Sequence, residues 1–224
     1  HFADGRTREV SVRTLPTRDG RVEAVIEYLW ALPQGESQFV SMIVPELFRR
    51  RSLSAAFARR AELSLKLRPL VEPGVVVTDV PVLAGDSVAT EPRHAVCRVL
   101  VSGAHAATMR AVHYAGTLGF EDTRAVSFAF DAEEADRLRR EWRERGIPAE
   151  LEINDAPFRD IGEPLLRYLR EITADPESVA VVVMPELIFR GWRRLLHNQR
   201  ALYIKRLLLF EPRVILAAVP YRLN

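Results

Sequence analysis

The 224-residue sequence predicts an α/β protein with one full lobe and a related partial lobe. From residue 93 onward, apolar runs of strand length alternate with amphipathic segments of helix length, the pattern of a parallel sheet covered by helices on both faces. A phrase also recurs, because Pro-Glu-Leu follows an apolar run at 45–47 and again at 185–187. We place the partial lobe at 1–88 and the full lobe at 93–224, joined by a small, polar linker.

The partial lobe is predicted to hold three strands and two helices. The strands are expected at 8–15, 38–44 and 74–82, where β-branched and apolar residues dominate. The helices are expected at 21–32 and 50–71, where apolar residues recur at helical spacing.

The full lobe is predicted to hold five strands separated by four helices. The strands are expected at 94–103, 123–131, 149–155, 179–184 and 213–221, and the helices at 105–119, 132–146, 162–174 and 191–210. Gly119 is the expected stop of the first of these helices, and Asp131 the expected N-cap of the second. Pro45 and Pro185 are expected to end the strands that precede them.

The two lobes are predicted to be copies of one unit. An offset of 140 residues aligns Pro45-Glu46-Leu47 with Pro185-Glu186-Leu187, and after a one-residue slip an offset of 139 aligns Lys66 with Lys205. Two strands and two helices of the full lobe have no counterpart in the first. A partial lobe leaves an unpaired strand edge, which we expect the other lobe, a second chain or further sequence to cover. The strands at 75–82 and 214–221 are predicted to pair across a two-fold or pseudo-two-fold axis, within one chain or between two.

Composition excludes several classes of function. The formal charge of +2 gives no electrostatic footprint for nucleic acid. Cys97 is the only cysteine, so no intramolecular disulfide can form, and no Cys/His spacing indicates a metal site. No apolar run is long enough to cross a bilayer, and no signal-peptide pattern is present. The sequence has no Gly-x-Ser-x-Gly nucleophile elbow, and the spacing of its residues indicates no catalytic triad. We therefore predict no catalytic residue and no enzyme activity.

Candidate ligand-binding residues follow from the ends of the predicted strands, since ligands of open α/β sheets bind at the carboxyl edge. The candidates are Ser102, Gly103, Asp131, Pro185, Glu186, Arg190, His197 and Asn198. Each has a structural alternative. Gly103 could serve only a turn, Asp131 only as an N-cap and Glu186 only as a cap or ion-pair partner, while the last three could lie on an exposed turn or helix surface.

Residues 94–224 resemble the universal stress protein fold, an adenine nucleotide alpha hydrolase-like sandwich. The chain is more similar to the cytosolic C-terminal domain of amino acid permease-like transporters of the APC superfamily. The residues that carry this resemblance are "MPELIFRGWRRLLHNQRALYIKRLLLFEPRVILAAVPYRL" at 184–223, together with "ATMRAVHYA" at 107–115 and "DAEEADRLRREW" at 131–142.

The resemblance implies a module at the cytoplasmic face of the membrane, attached to a transmembrane amino acid or potassium transporter domain of the same polypeptide, and a homodimer. In some potassium importers of this superfamily the similar domain binds cyclic di-AMP. Universal stress proteins that bind ATP carry a glycine-rich loop after the fourth strand, but only Gly191 stands in that region here, so the expected adenine nucleotide is cyclic di-AMP rather than ATP. An assembly module without a ligand and a soluble stress protein are the alternatives.

Overall fold

The computed structural model describes Tyr28 and residues 39–48, 74–83, 92–156, 160–188 and 199–223. The chain forms two compact units, 1–34 and 35–224, and in the first only Tyr28 is described, as a helical residue. The predicted strand at 8–15, the predicted helix at 50–71 and the first part of the helix predicted at 191–210 therefore lie outside the described residues.

Within the described residues the fold is an α/β sandwich around a seven-stranded, mostly parallel sheet, as the alternating pattern predicts. The strands are β1 (Val40–Phe48), β2 (Val75–Leu83), β3 (His94–Leu100), β4 (Thr123–Ala129), β5 (Glu150–Asp155), β6 (Ser178–Ile188) and β7 (Val214–Arg222). The helices are α1 (Ala106–Leu118), α2 (Ala132–Glu144), α3 (Gly162–Ile172) and α4 (Gln199–Leu208). The strand order across the sheet is β1-β2-β7-β6-β3-β4-β5.

Two apolar layers hold the helices to the sheet. On one face, α1 and α2 pack small and aromatic side chains, such as Ala111 and Trp142, against Val181 and Val183. On the other face, α3 and α4 pack leucines such as Leu165 and Leu208 against the opposite sides of the same strands. Burying one such leucine contributes roughly 1.5–3 kcal/mol, so both layers stabilise the fold.

The helix boundaries follow the signals in the sequence. Gly119 caps the end of α1 with φ at 73°, a left-handed conformation that glycine adopts without strain. Asp131 accepts a hydrogen bond from the backbone N–H of Glu134, and the Glu134 carboxylate accepts one from the N–H of Phe130. This reciprocal arrangement satisfies donors at the start of α2 and confirms the predicted cap.

The prolines at 45 and 185 do not end their strands, so that expectation is wrong. β6 runs through Pro185 and Glu186 to Ile188 and stays paired with β7. On its other side, the ladder with β3 stops at Val183. A residue without an N–H is therefore tolerated at Pro185, because the strand has only one partner there.

The predicted pairing of the two equivalent edge strands is confirmed within one chain. β2 pairs antiparallel with β7, in a register that places Thr78 opposite Ala217. β1 then pairs parallel with β2. β1 and β2 therefore run in the opposite direction to the other five strands, and their carboxyl ends lie beside the amino ends of those strands. Among the described residues, no strand lies beside β1 on its outer side.

Candidate functional site

A cavity of about 410 Å³ opens at the carboxyl ends of β3, β4 and β6. β3 pairs with β6 on one side and with β4 on the other. The connection that follows β3 leads to one side of the sheet, and the later strands β6 and β7 lie on the other side. Such a switch point leaves a crevice between the connections. Its volume lies in the range of small-molecule sites, roughly 300–1,000 Å³. The lining residues are Leu100, Val101, Ser102, Gly103, His105, Ala107, Thr108, Ser127, Phe128, Ala129, Glu134, Arg137, Leu138, Glu141, Ile161, Met184, Pro185, Leu187, Ala201 and Ile204.

The turn between β3 and α1 forms one wall of the cavity and contains two of the predicted residues. Ser102 is exposed and Gly103 is buried. The Thr108 hydroxyl donates a 2.6 Å hydrogen bond to the carbonyl oxygen of Gly103, which ties the turn to the first turn of α1. A Cβ atom on Gly103 would lie 2.5 Å from Nε2 of His105, so the glycine makes room for the imidazole of His105. The group that comes close to the backbone of Gly103 is thus the side chain of His105, from the same turn.

The start of α1 is the polar end of this wall. His105 is the N-cap residue, and its side chain makes no capping hydrogen bond. The first turn of α1 carries no acidic residue. Backbone N–H groups at such a helix start favour an anionic group, because they add to the positive end of the helix dipole.

The opposite wall comes from α2 and brings charged side chains to the cavity. Glu134, Arg137 and Glu141 lie at its rim. A neighbouring hollow of about 350 Å³ shares Glu134 and Arg137 with the cavity and also contains Asp131. Asp131, predicted both as a binding residue and as an N-cap, therefore caps α2 and borders this adjoining hollow. Arg137 is the basic side chain that reaches both spaces.

Pro185 and Glu186, near the end of β6, have different surroundings. Pro185 lines the cavity. The side chain of Glu186 points to the other face of the strand, as successive residues of a strand do, and accepts a 2.7 Å hydrogen bond from Nζ of Lys205. This ion pair joins β6 to α4, whose Ala201 and Ile204 complete the cavity wall. Glu186 therefore contacts α4, the helix that contributes Ala201 and Ile204 to the cavity lining.

The structure brings together Ser102, Gly103 and Pro185 from the predicted set, while Arg190, His197 and Asn198 lie outside the described residues. His105 and Arg137 were missed by the sequence reasoning. The position of His105 next to a strand-end glycine could have indicated it, because residues of that turn face the carboxyl edge of the sheet.

The described part of the chain also bears on metal binding, membrane spanning and cysteine chemistry. It contains no cluster of three or more His, Cys, Asp or Glu that could hold a metal ion. None of its helices is long and apolar enough to span a bilayer. Cys97 lies in the core, and burial raises the pKa of its thiol to about 12, which keeps it in the unreactive protonated form at neutral pH.

Comparison with known proteins finds a match for the region that carries the cavity. Residues 92–221, more than half of the chain, match the family model of the KimA potassium transporter C-terminal domain. The chain belongs to this family. It is also 28% identical over 127 residues to the potassium transporter KimA of Bacillus subtilis strain 168, an alignment that covers 55% of this chain. The chain spans about a fifth (21%) of the length of that relative.

The KimA C-terminal domain match includes every cavity-lining residue named above and leaves out β1 and β2. The cavity therefore belongs to the region that matches the family model. The antiparallel contact between β2 and β7 joins a strand that precedes the matched region to residues 216–218, which lie within it. The chain is thus a member of a family of transporter C-terminal domains.

Proposed function

We propose that this chain is the cytosolic regulatory domain of a potassium transporter and that it binds an adenine nucleotide, cyclic di-AMP, in the cavity at the ends of β3, β4 and β6. The observation that carries the proposal is the position of the cavity at the switch point of the sheet. The strands that form this switch point lie in the region that matches the KimA C-terminal domain family. The transmembrane domain of the same polypeptide is the expected partner, on the cytoplasmic side of the membrane.

Some of the residues around the cavity suit a nucleotide, although Glu134 and Glu141 oppose the charge of its phosphates. Apolar side chains such as Phe128, Met184 and Leu187 offer a surface for a base. The start of α1 and the guanidinium of Arg137 offer positive potential for a phosphate. The family match is to the C-terminal domain of a transporter, which favours a role in binding and regulation over catalysis.

Thermal unfolding of the purified chain with ATP, AMP, cyclic di-AMP and cyclic di-GMP tests the proposal. A ligand that binds only the folded protein, at 100 times its dissociation constant, stabilises it by about 2.7 kcal/mol. We expect a rise in melting temperature with cyclic di-AMP. No shift with any nucleotide at millimolar concentration would contradict nucleotide binding.

A matched pair of arginines on α2 locates the site. Arg137 lines the cavity, whereas Arg140 is exposed on the same helix and is not part of the lining. Arg137→Glu is expected to abolish the shift caused by cyclic di-AMP, because it places a like charge beside the phosphates. Arg140→Glu, with the same change of net charge, is expected to retain the shift. Equal responses of the two variants would show that the ligand binds elsewhere.

A second candidate function is assembly without a small-molecule ligand. It is favoured by the antiparallel ladder between β2 and β7, in which this sheet edge forms a lobe-to-lobe contact. On this account the domain holds parts of a transporter together, and no nucleotide changes its melting temperature. The ligand panel separates the two functions.

A further inference from the structure

The strands β1 and β2 repeat the strands β6 and β7 residue by residue. Val40 pairs with Val75 at the start of the first ladder, and Ala180 pairs with Val214 at the start of the second. Both ladders are parallel and run for nine residue pairs. Adding 140 to each residue number in β1 and 139 to each number in β2 reproduces the β6–β7 register at every pair. These are the two offsets by which the sequence itself repeats.

The ladder between β2 and β7 is symmetric under the offset of 139 residues. Thr78 pairs with Ala217, and an offset of 139 carries the first onto the second. The same offset exchanges the two flanking pairs, because Val77 lies opposite Ala218 and Asp79 opposite Leu216. Equivalent strands that meet antiparallel at equivalent residues are related by a two-fold operation. A pseudo-two-fold axis therefore passes between Thr78 and Ala217.

Side chains reinforce this contact on the face that carries α1. The ring of Phe39, the residue before β1, packs edge-on against Tyr114 at a centroid distance of 5.2 Å, and Cζ of Arg110 lies 5.0 Å from the centre of the Phe39 ring. The hydroxyl groups of Ser41 and Tyr114 are hydrogen-bonded at 2.9 Å. Arg110 also donates to the carbonyl oxygen of Pro220 in β7. The β1–β2 pair is thus fixed both to a strand edge and to a helix of the full lobe.

We propose that the β1–β2 pair takes the place of a second copy of the chain at the β7 edge. A sheet edge of apolar, regularly paired strand is a ready site for self-association, and a two-fold contact between two β7 strands is the symmetric way to close it. In this chain an internal copy of β6 and β7 occupies that edge. The partner that fits the β7 edge is therefore the chain's own β2, and self-association through β7 is blocked.

Cysteine pairs in the full chain, with Cys97→Ala to leave no other thiol, test this proposal. Directly opposed residues of an antiparallel pair have Cα atoms about 4.5–5.5 Å apart, a distance that a disulfide spans. We expect Thr78→Cys/Ala217→Cys to oxidise to an intrachain disulfide, seen as a monomer on a non-reducing gel and as a linked pair of peptides by mass spectrometry. Thr78→Cys/Ala218→Cys is the register control and is expected to stay reduced, because its thiols point to opposite faces of the sheet.

The single variant Ala217→Cys separates the internal contact from a dimer. If two chains met through β7 about the same axis, the thiols introduced by this substitution would face each other and form a covalent dimer. We expect no such dimer. Covalent dimers from the single or the double variant, or the absence of any crosslink in a folded double variant, would overturn the proposal. Val77→Cys/Ala218→Cys, a second opposed pair, decides the case if the first double variant does not fold.

Discussion

The ammonium group of Lys205 donates a 2.7 Å hydrogen bond to Oε2 of Glu186, and the two side chains are only 17% and 8% exposed. Removing one partner leaves the other charge buried without compensation. We expect Glu186→Gln and Lys205→Met each to lower the free energy of unfolding by about 3 kcal/mol. The double variant should lose less than the sum of the two, because neither charge then remains. Urea unfolding measures all three.

The exposed pair of Arg139 and Asp136 on α2 serves as the control for that experiment. Its side chains are more than half exposed and lie 2.9 Å apart. Arg139→Met is expected to cost less than about 1 kcal/mol, as is usual for ion pairs in water. Strict additivity of the Glu186 and Lys205 substitutions would show that the two groups are not coupled in solution.

The hydrogen bond between Ser41 and Tyr114 provides a measure of how firmly β1 sits on α1. We expect Ser41→Ala and Tyr114→Phe each to lower the free energy of unfolding by about 1 kcal/mol. In a double-mutant cycle, the second substitution should cost much less once the first is present, because the bond is already broken. Independent effects of the two substitutions would place β1 away from α1 in solution.

The contact of Arg98 with Asp122 predicts a loss of stability in acid. The Arg98 guanidinium donates a 2.7 Å hydrogen bond to Asp122, and this bond lowers the pKa of the carboxyl group. A carboxyl group with a lowered pKa in the folded state stabilises the fold above its ordinary pKa, and this contribution is lost as the pH falls through the folded value. We expect Asp122→Asn to flatten the pH dependence of the urea midpoint below about pH 4. Superimposable curves for the two proteins would refute this.

Burial of Cys97 predicts a loss of stability in alkali. Its thiol has a pKa of about 12 in the fold, so the unfolded chain ionises first as the pH rises. The stabilising contribution is complete below about pH 8.5 and is lost as the pH rises towards the folded value. Cys97→Ala should remove the part of the decline that begins near that pH. At about pH 8 the native thiol should react with a disulfide reagent only as fast as the protein opens, and rapid reaction of the folded protein would contradict its burial.

The approach of His105 to Gly103 predicts a substitution effect with a built-in rescue. In Gly103→Ala the new methyl group would meet the imidazole at 2.5 Å from Nε2. His105 is exposed and can rotate away, so we expect a loss of less than about 1 kcal/mol in the free energy of unfolding. Gly103→Ala/His105→Ala should recover stability relative to Gly103→Ala, because the ring is gone. A large loss that the double variant does not recover would show that backbone strain is the cause.

The sequence predicted the architecture because the relevant signals are local or periodic. The strand–helix alternation, the cap at Asp131 and the stop at Gly119 depend on neighbouring residues, and the structure reproduces them. The pairing of β2 with β7 also followed from sequence, since two copies of one edge strand have matching surfaces. The boundary between the lobes at 88–93 stays a prediction.

The path of β6 through Pro185 could not be predicted from local sequence. Whether a proline is tolerated depends on how far the neighbouring strand extends, and the β3 ladder ends two residues earlier at Val183. The direction of Glu186 depends on the same point. Once the strand continues, alternation places its side chain on the face opposite that of Pro185, where it meets Lys205. The lining by Arg137 depends on how α2 is placed over β4, which sequence spacing alone does not fix.

The ladder between β2 and β7 also affects the order in which the fold can be completed during synthesis. Thr78 and Ala217 are 139 positions apart, so β2 has left the ribosome long before its neighbour exists. At about 5–20 residues per second, that interval is on the order of ten seconds. Contacts of such long sequence separation form slowly, and an open strand edge is prone to aggregation meanwhile. The β2–β7 ladder can form only after the last of the described strands has been made, so this edge of β2 stays open for most of synthesis.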